Sequence, residues 1–98
     1  MAEEASKKAD DNTVFIGKKP SMSYVLAAVT QFGDGQKEIY LKARGRSISK
    51  AVDVAEIVKN KFVPEAKIKS IETGTDQIEN ENKEKVNVST ITITLAKE

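Results

Sequence analysis

The sequence predicts a two-layer α/β sandwich of order βαβαββ, in which a four-stranded mixed sheet carries two helices on one face. Three observations predict it. Short strand-like runs at residues 13–16 and 38–43 are each followed by a small glycine-containing turn and then by apolar residues at helical spacing. Two longer alternating runs, about residues 66–78 and 85–96, close the chain around one sharply charged tip. A right-handed crossover after each of the first two strands then brings both helices to the same face. Ninety-eight residues allow one domain and no second.

Each element has a local cause. Residues 1–11 show no apolar periodicity and are expected to form a disordered arm ahead of a single domain over residues 12–98. Order begins with the β-branched and aromatic run Thr13, Val14, Phe15, Ile16 and stops at Gly17. Pro20 suits the first helical position, where its missing N–H costs nothing, and Met22, Val25, Leu26, Val29 and Phe32 follow at helical spacing up to Gly33. Ile39 and Leu41 share one side of the second strand, which runs into the glycine-centred turn Arg44, Gly45, Arg46. Ser47 or Ser49 caps a second helix that reaches about Phe62 and is stopped by Pro64. In the hairpin the apolar parity shifts from Ile68 to Ile71 and from Val88 to Ile91, which predicts a bulge or strong twist.

The second helix is apolar over more of its circumference than one sheet can cover. Ile48, Ala51, Val52, Ala55 and Val58 form one stripe, and Val54, Ile57 and Phe62 spread into a neighbouring one. In a short chain, 39% hydrophobic and only 5% aromatic, such a surplus predicts self-association, with Val54 and Ile57 as the contacts, while Phe62 at the helix end reads first as a core residue.

Composition removes most chemistry. With no Cys and no His, disulfides, thiolate or imidazole metal sites and every mechanism with a histidine base are excluded. Ser21, Ser47 and Ser49 read as caps or helix-start residues because no general base accompanies them. Asp53 and Glu56, at i and i+3 on a helix, read as solvent- or lysine-facing. No enzymatic activity, metal or cofactor is expected. No apolar run approaches a membrane span and the first dozen residues are polar with mixed charge, so no membrane partner is expected and the predicted location is the cytoplasm.

The net charge of +1 hides a central basic block. Residues 1–12 carry net −2, residues 13–64 hold nine lysines or arginines against four acids for net +5, and residues 65–98 return to −2. The densest groups are Lys18 with Lys19, and Lys42, Arg44, Arg46 and Lys50 with no acid among them. Both fall at strand-to-helix turns, where backbone N–H groups and the positive end of the helix dipole attract phosphate oxygens. There is no P-loop and no dinucleotide fingerprint, which disfavours a mononucleotide site. If both turns lie at one end of the sheet they form a stripe suited to a continuous polyphosphate, and the second helix opens with few side chains able to read base edges.

A family resemblance enters on these residues. Phe15-Ile16-Gly17-Lys18-Lys19-Pro20, then Tyr24-Val25-Leu26-Ala27-Ala28, then Lys42-Ala43-Arg44-Gly45-Arg46 with Ile48-Ser49-Lys50-Ala51-Val52-Asp53, and Asn60-Lys61-Phe62 closely resemble the Alba family of small archaeal chromatin proteins. The resemblance runs from about Asn12 to the last strand. It implies a fold similar to the C-terminal domain of translation initiation factor three, and a homodimer that coats and condenses double-stranded DNA with little sequence preference, binds RNA and associates with the chromosome. It implies backbone contact by Lys18, Lys19, Arg44, Arg46 and Lys50, acetylation at Lys18 as a means of weakening binding, and a role for Phe62 in contacts between dimers along DNA. One departure stands out. Family hairpins commonly carry arginines, whereas Asp76, Glu79, Glu81 and Glu84 here face only Lys83 and Lys85, leaving those two lysines and the tip asparagines as its phosphate contacts.

The expected function is thus architectural binding of double-stranded DNA, with RNA as a second ligand. Two alternatives remain open at this level: a module acting mainly on structured RNA, and a protein-assembly module whose wide apolar helix is the functional surface.

Overall fold

The computed structural model describes residues 12–97, so the arm expected at residues 1–11 lies outside the described residues. The chain runs β1 (Thr13–Phe15), α1 (Ser21–Gly33), β2 (Glu38–Arg44), a 3-10 turn (Gly45–Ser47), α2 (Ile48–Ile57), a π turn (Val58–Phe62), β3 (Ala66–Glu79) and β4 (Lys85–Lys97). This is the predicted α/β order. The sheet order is β1-β2-β4-β3, with β1 parallel to β2 and β4 antiparallel to both of its neighbours. β2 and β3 are therefore parallel with β4 inserted between them by the hairpin, so each helix spans a crossover between parallel strands.

Alternation within the strands fixes the two faces of the sheet. Val14, Ile39, Leu41, Ile93 and Leu95 point into one core with Val25, Ala28 and Phe32 of α1 and Ala51, Val54 and Ala55 of α2. Fully burying an aliphatic side chain of this size contributes roughly 1.5–3 kcal/mol, and these residues supply the core that a chain with so few aromatics has available.

The packed faces correct three expectations. On α1 the buried stripe is Val25, Ala28 and Phe32, while Met22 and Leu26 are exposed; small Ala28 faces the core, and the bulkier residues on the other flank turn outward. Pro20 stands just outside that helix as its N-cap, in an extended conformation (φ −59°, ψ 151°). Val54 is 0% exposed and belongs wholly to the chain's own core, so it has no surface to present to a second copy.

The predicted irregularity in the hairpin lies in β3. Ile68 faces Leu95 and Ser70 faces the next residue, Thr94, leaving Lys69 as the extra residue of a bulge. Against β3, β4 is regular from Asp76↔Val88 to Thr73↔Ile91, so the Val88-to-Ile91 change of parity is no bulge. Val88 opposes Asp76 on the sheet face away from Ile91, where it is half-buried beside Gly45. The bulged Lys69 donates a hydrogen bond to the Glu38 carboxylate, and the Tyr40 hydroxyl donates to the same group at 3.2 Å. The Lys69 hydrogen bond, helped by Tyr40 and then by the lysine's charge, holds Glu38 below its usual pKa; the same bond raises Lys69.

Candidate nucleic-acid interface

Because β1 and β2 are parallel, the turns that follow them leave the sheet at the same end. The first turn is braced from within: the Lys19 amide donates to the Tyr24 hydroxyl at 3.1 Å. A Cβ on Gly17 would stand 3.3 Å from that hydroxyl, so the close approach favours glycine there. The second turn depends on Gly45, which takes φ +60°, a left-handed conformation that side-chain-bearing residues adopt only under strain. It converts the extended end of β2 at Arg44 into the 3-10 turn that leads into α2.

Lys50 joins the two turns. Its ammonium donates to the Gly17 carbonyl at 2.9 Å and to the Lys19 carbonyl at 2.7 Å. Ser47 occupies the N-cap position of α2 but makes no side-chain cap; its hydroxyl lies 3.5 Å from the same Gly17 carbonyl, at the outer limit of a hydrogen bond. Two of the three donors of the Lys50 ammonium are thus given to backbone oxygens of the first turn, and the third remains for phosphate. Lys50 sets the spacing between the turns.

Lys18, Lys19, Arg44 and Arg46 all remain exposed around this bridge. Lys42, two residues before Arg44 on β2 and part of the same basic group in the sequence, is exposed beside them and joins the predicted contacts. Tyr24 was missed, because a tyrosine near a helix start gives no sequence signal of the amide it will accept.

The hairpin leaves the sheet at this same end. Thr90 and Gly74 are level with Arg44, and residues 85–89 of β4 continue past it for roughly 17 Å at strand rise. Its tip is held by Asn80, whose side-chain oxygen accepts from the amides of Asn82 (2.9 Å) and Glu84 (3.0 Å). Lys83 sits in the left-handed region at φ 64°, and both Lys83 and Lys85 are exposed. The two lysines thus lie on an arm that extends from the basic end, separated along the chain from the two turns.

The remaining predicted residues lie elsewhere. Ile57 is half-buried, and Phe62, 43% exposed, ends the π turn at the opposite end of the α2 segment from Arg46. α2 packs over β2 and β4, while β3 meets the helical layer mainly at the π turn, so Ile71 on the helix-side face of β3 is exposed. Glu56 is paired with Lys59 (3.6 Å) and accepts from the Asn60 side-chain amide (3.3 Å), a surface arrangement. Among the described residues no cluster of His, Cys, Asp or Glu is arranged to hold a metal ion, and no helix is long and apolar enough to cross a membrane.

A βαβαββ fold that gathers the cations of two glycine turns at one end of its sheet defines a class: small α/β proteins with a basic, phosphate-suited end. This chain belongs to the Alba family. The Alba family model matches residues 12–75. "DNA/RNA-binding protein Alba" of Thermoplasma acidophilum is 53% identical over 73 residues, which is 74% of this chain and 82% of that one. "DNA/RNA-binding protein Alba 1" of Archaeoglobus fulgidus is 55% identical over 71 residues, 72% of this chain and 80% of that one. The solved structure of Alba from Thermoplasma volcanium superposes with a TM-score of 0.84 at 52% identity, covering 88% of this chain and all of that one. ALBA1 from Trypanosoma brucei gives 0.73 at 27% identity, over 89% of this chain and 69% of its own. The family model's match ends at residue 75, ahead of the acidic hairpin tip.

Proposed function

We propose that this protein is an architectural chromatin protein that coats and compacts double-stranded DNA as a homodimer with little sequence preference, and that it also binds RNA. The carrying observation is the Lys50 bridge, which fixes two basic turns side by side at one end of the sheet. Lys18, Lys19, Arg44 and Arg46 contact the phosphate backbone, and Lys83 and Lys85 add contacts further along the arm. Exposed cationic side chains on turns suit phosphate, so duplex affinity is electrostatic and no reaction is catalysed. The relatives' names support DNA and RNA as the ligand class.

The dimer forms over the apolar surface that the single chain leaves uncovered, with Ile57 and exposed Val52 on α2 and Ile71 on β3. Phe62 makes contacts between dimers on DNA, and acetylation of Lys18 weakens binding by removing one charge from an exposed turn. The protein acts in the cytoplasm in association with the chromosome. Binding isotherms titrated with salt on duplex DNA and on RNA test this reading. About six phosphate contacts per dimer give a slope of log affinity against log salt of roughly −5 on duplex DNA. A slope near zero, or a strong preference for one duplex sequence, contradicts it.

A further inference from the structure

Phe15 is 64% exposed although its neighbours Val14 and Ile16 are both buried. Strand alternation sends its ring to the face of the sheet opposite the helices. There it lies level with Lys42, and Lys42 in turn is level with Thr92, as Arg44 is with Thr90. Together with Lys18 and with Asp76 from the hairpin, these side chains line an open groove of about 790 Å³. Gly74 faces Thr90 across β3 and β4, and a Cβ there would stand only 3.1 Å from the Thr90 hydroxyl oxygen. Glycine leaves that part of the open face clear.

The basic turns account for the cations but not for a large aromatic ring in solvent beside them. We propose that this groove binds an unpaired nucleotide of RNA, with its base stacked on Phe15 and its flanking phosphates on Lys18, Lys42 and Arg44. The inference rests on the nucleic-acid reading above and adds to it a site for single strands. Base–aromatic stacking within a positively charged groove is a recurrent way of holding single-stranded nucleic acid, and RNA offers unstacked bases in its loops and ends. A base paired in a duplex cannot reach the ring without being extruded. Asp76 orients the ligand: its carboxylate repels phosphate and accepts from an exocyclic amino group, so the base edge points to the hairpin and the backbone to the Lys18 side. The hydroxyls of Thr90 and Thr92 both donate and accept, which matches the ribose 2′-OH and selects RNA over DNA single strands.

The test compares the full-length protein with Phe15→Leu and Phe15→Trp on three probes: a short unstructured RNA, the DNA single strand of the same sequence, and a duplex DNA. Thermal melts of each variant verify that the exposed ring is not needed for folding. Phe15→Leu should lower affinity for the RNA about tenfold, the size of one lost stack; Phe15→Trp should keep it, and duplex binding should stay level in both. RNA affinity that ignores Phe15→Leu, or an equal loss on the duplex, overturns the stacking site while leaving the nucleic-acid reading in place. Equal losses on the RNA and the DNA single strand overturn the assignment to RNA. Absence of binding by the unaltered protein to any of the three probes overturns the nucleic-acid reading itself.

Discussion

The ammonium of Lys50 reaches back 33 residues to donate a 2.9 Å hydrogen bond to the carbonyl of Gly17, joining the start of α2 to the turn after β1. With its second bond to Lys19, this contact ties two separate turns into one basic surface. A bridging lysine and a phosphate ligand have distinct experimental signatures.

Lys50→Gln should lower the melting temperature and weaken duplex binding while leaving the salt slope unchanged. A phosphate ligand contributes about 0.9 to the slope, or roughly 2 for the two copies in a dimer. Isotherms at several salt concentrations separate the two roles: a slope shallower by about 2 returns Lys50 to the phosphate contacts.

Lys18→Gln, which mimics the charge loss of acetylation, should show the opposite signature. Lys18 is exposed and belongs to no core, so the melt should not move, while affinity falls and the slope becomes shallower by roughly 2 per dimer. Lys19→Gln should follow the same pattern without matching it in size. Unchanged affinity in both variants would remove the first turn from the interface.

Val54 and Ile57 should part company. Val54→Ala removes two buried methyl groups' worth of packing and should cost about 2 kcal/mol in denaturant unfolding without a direct effect on the dimer contact. Ile57→Asp places a charge on the half-buried flank of α2 and should shift the mass measured by light scattering toward the monomer. A dimer insensitive to Ile57→Asp places the subunit contact elsewhere.

Phe62→Ala should cost well under the ~3 kcal/mol of a core phenylalanine, because 43% of the residue's surface is already in water. Cooperativity on long DNA should decline while the affinity of one dimer for a short duplex holds. A large loss of stability with unchanged cooperativity would make Phe62 a packing residue only.

The Glu38–Lys69 pair gives a pH dependence of known sign. Glu38 titrates below its usual 4.5 in the folded chain, so its contribution is present above that value and lost as pH falls through the lowered one. Lys69 is raised above 10.5, so its contribution is present below that value and lost only as pH rises through the raised one. Both groups are open to solvent, and the effect should be small. Melts of Glu38→Gln against the parent protein should differ slightly at neutral pH and converge in acid; a difference that widens in acid contradicts the assignment.

The sequence by itself determined the elements and their order, because strand alternation, helical spacing and the glycine turns are local signals. It also located Lys18, Lys19, Arg44 and Arg46, since a cation on a strand-to-helix turn is exposed by the turn itself. Tertiary structure alone decided what depends on which surfaces meet. Periodicity marks α2 as widely apolar, but only its seating on β2 and β4 makes Val54 core and leaves Ile57 at the margin. Lys50 reads as one more surface charge until folding brings the carbonyls of Gly17 and Lys19 within reach of its ammonium. Phe15 reads as an ordinary strand residue until β2 and β4 set Lys42, Thr92 and Thr90 along the same face. The physical reason is common to all three: a side chain's intrinsic pattern fixes its direction from its own backbone, and its partners come from other elements of the chain, which only the closed sheet brings together.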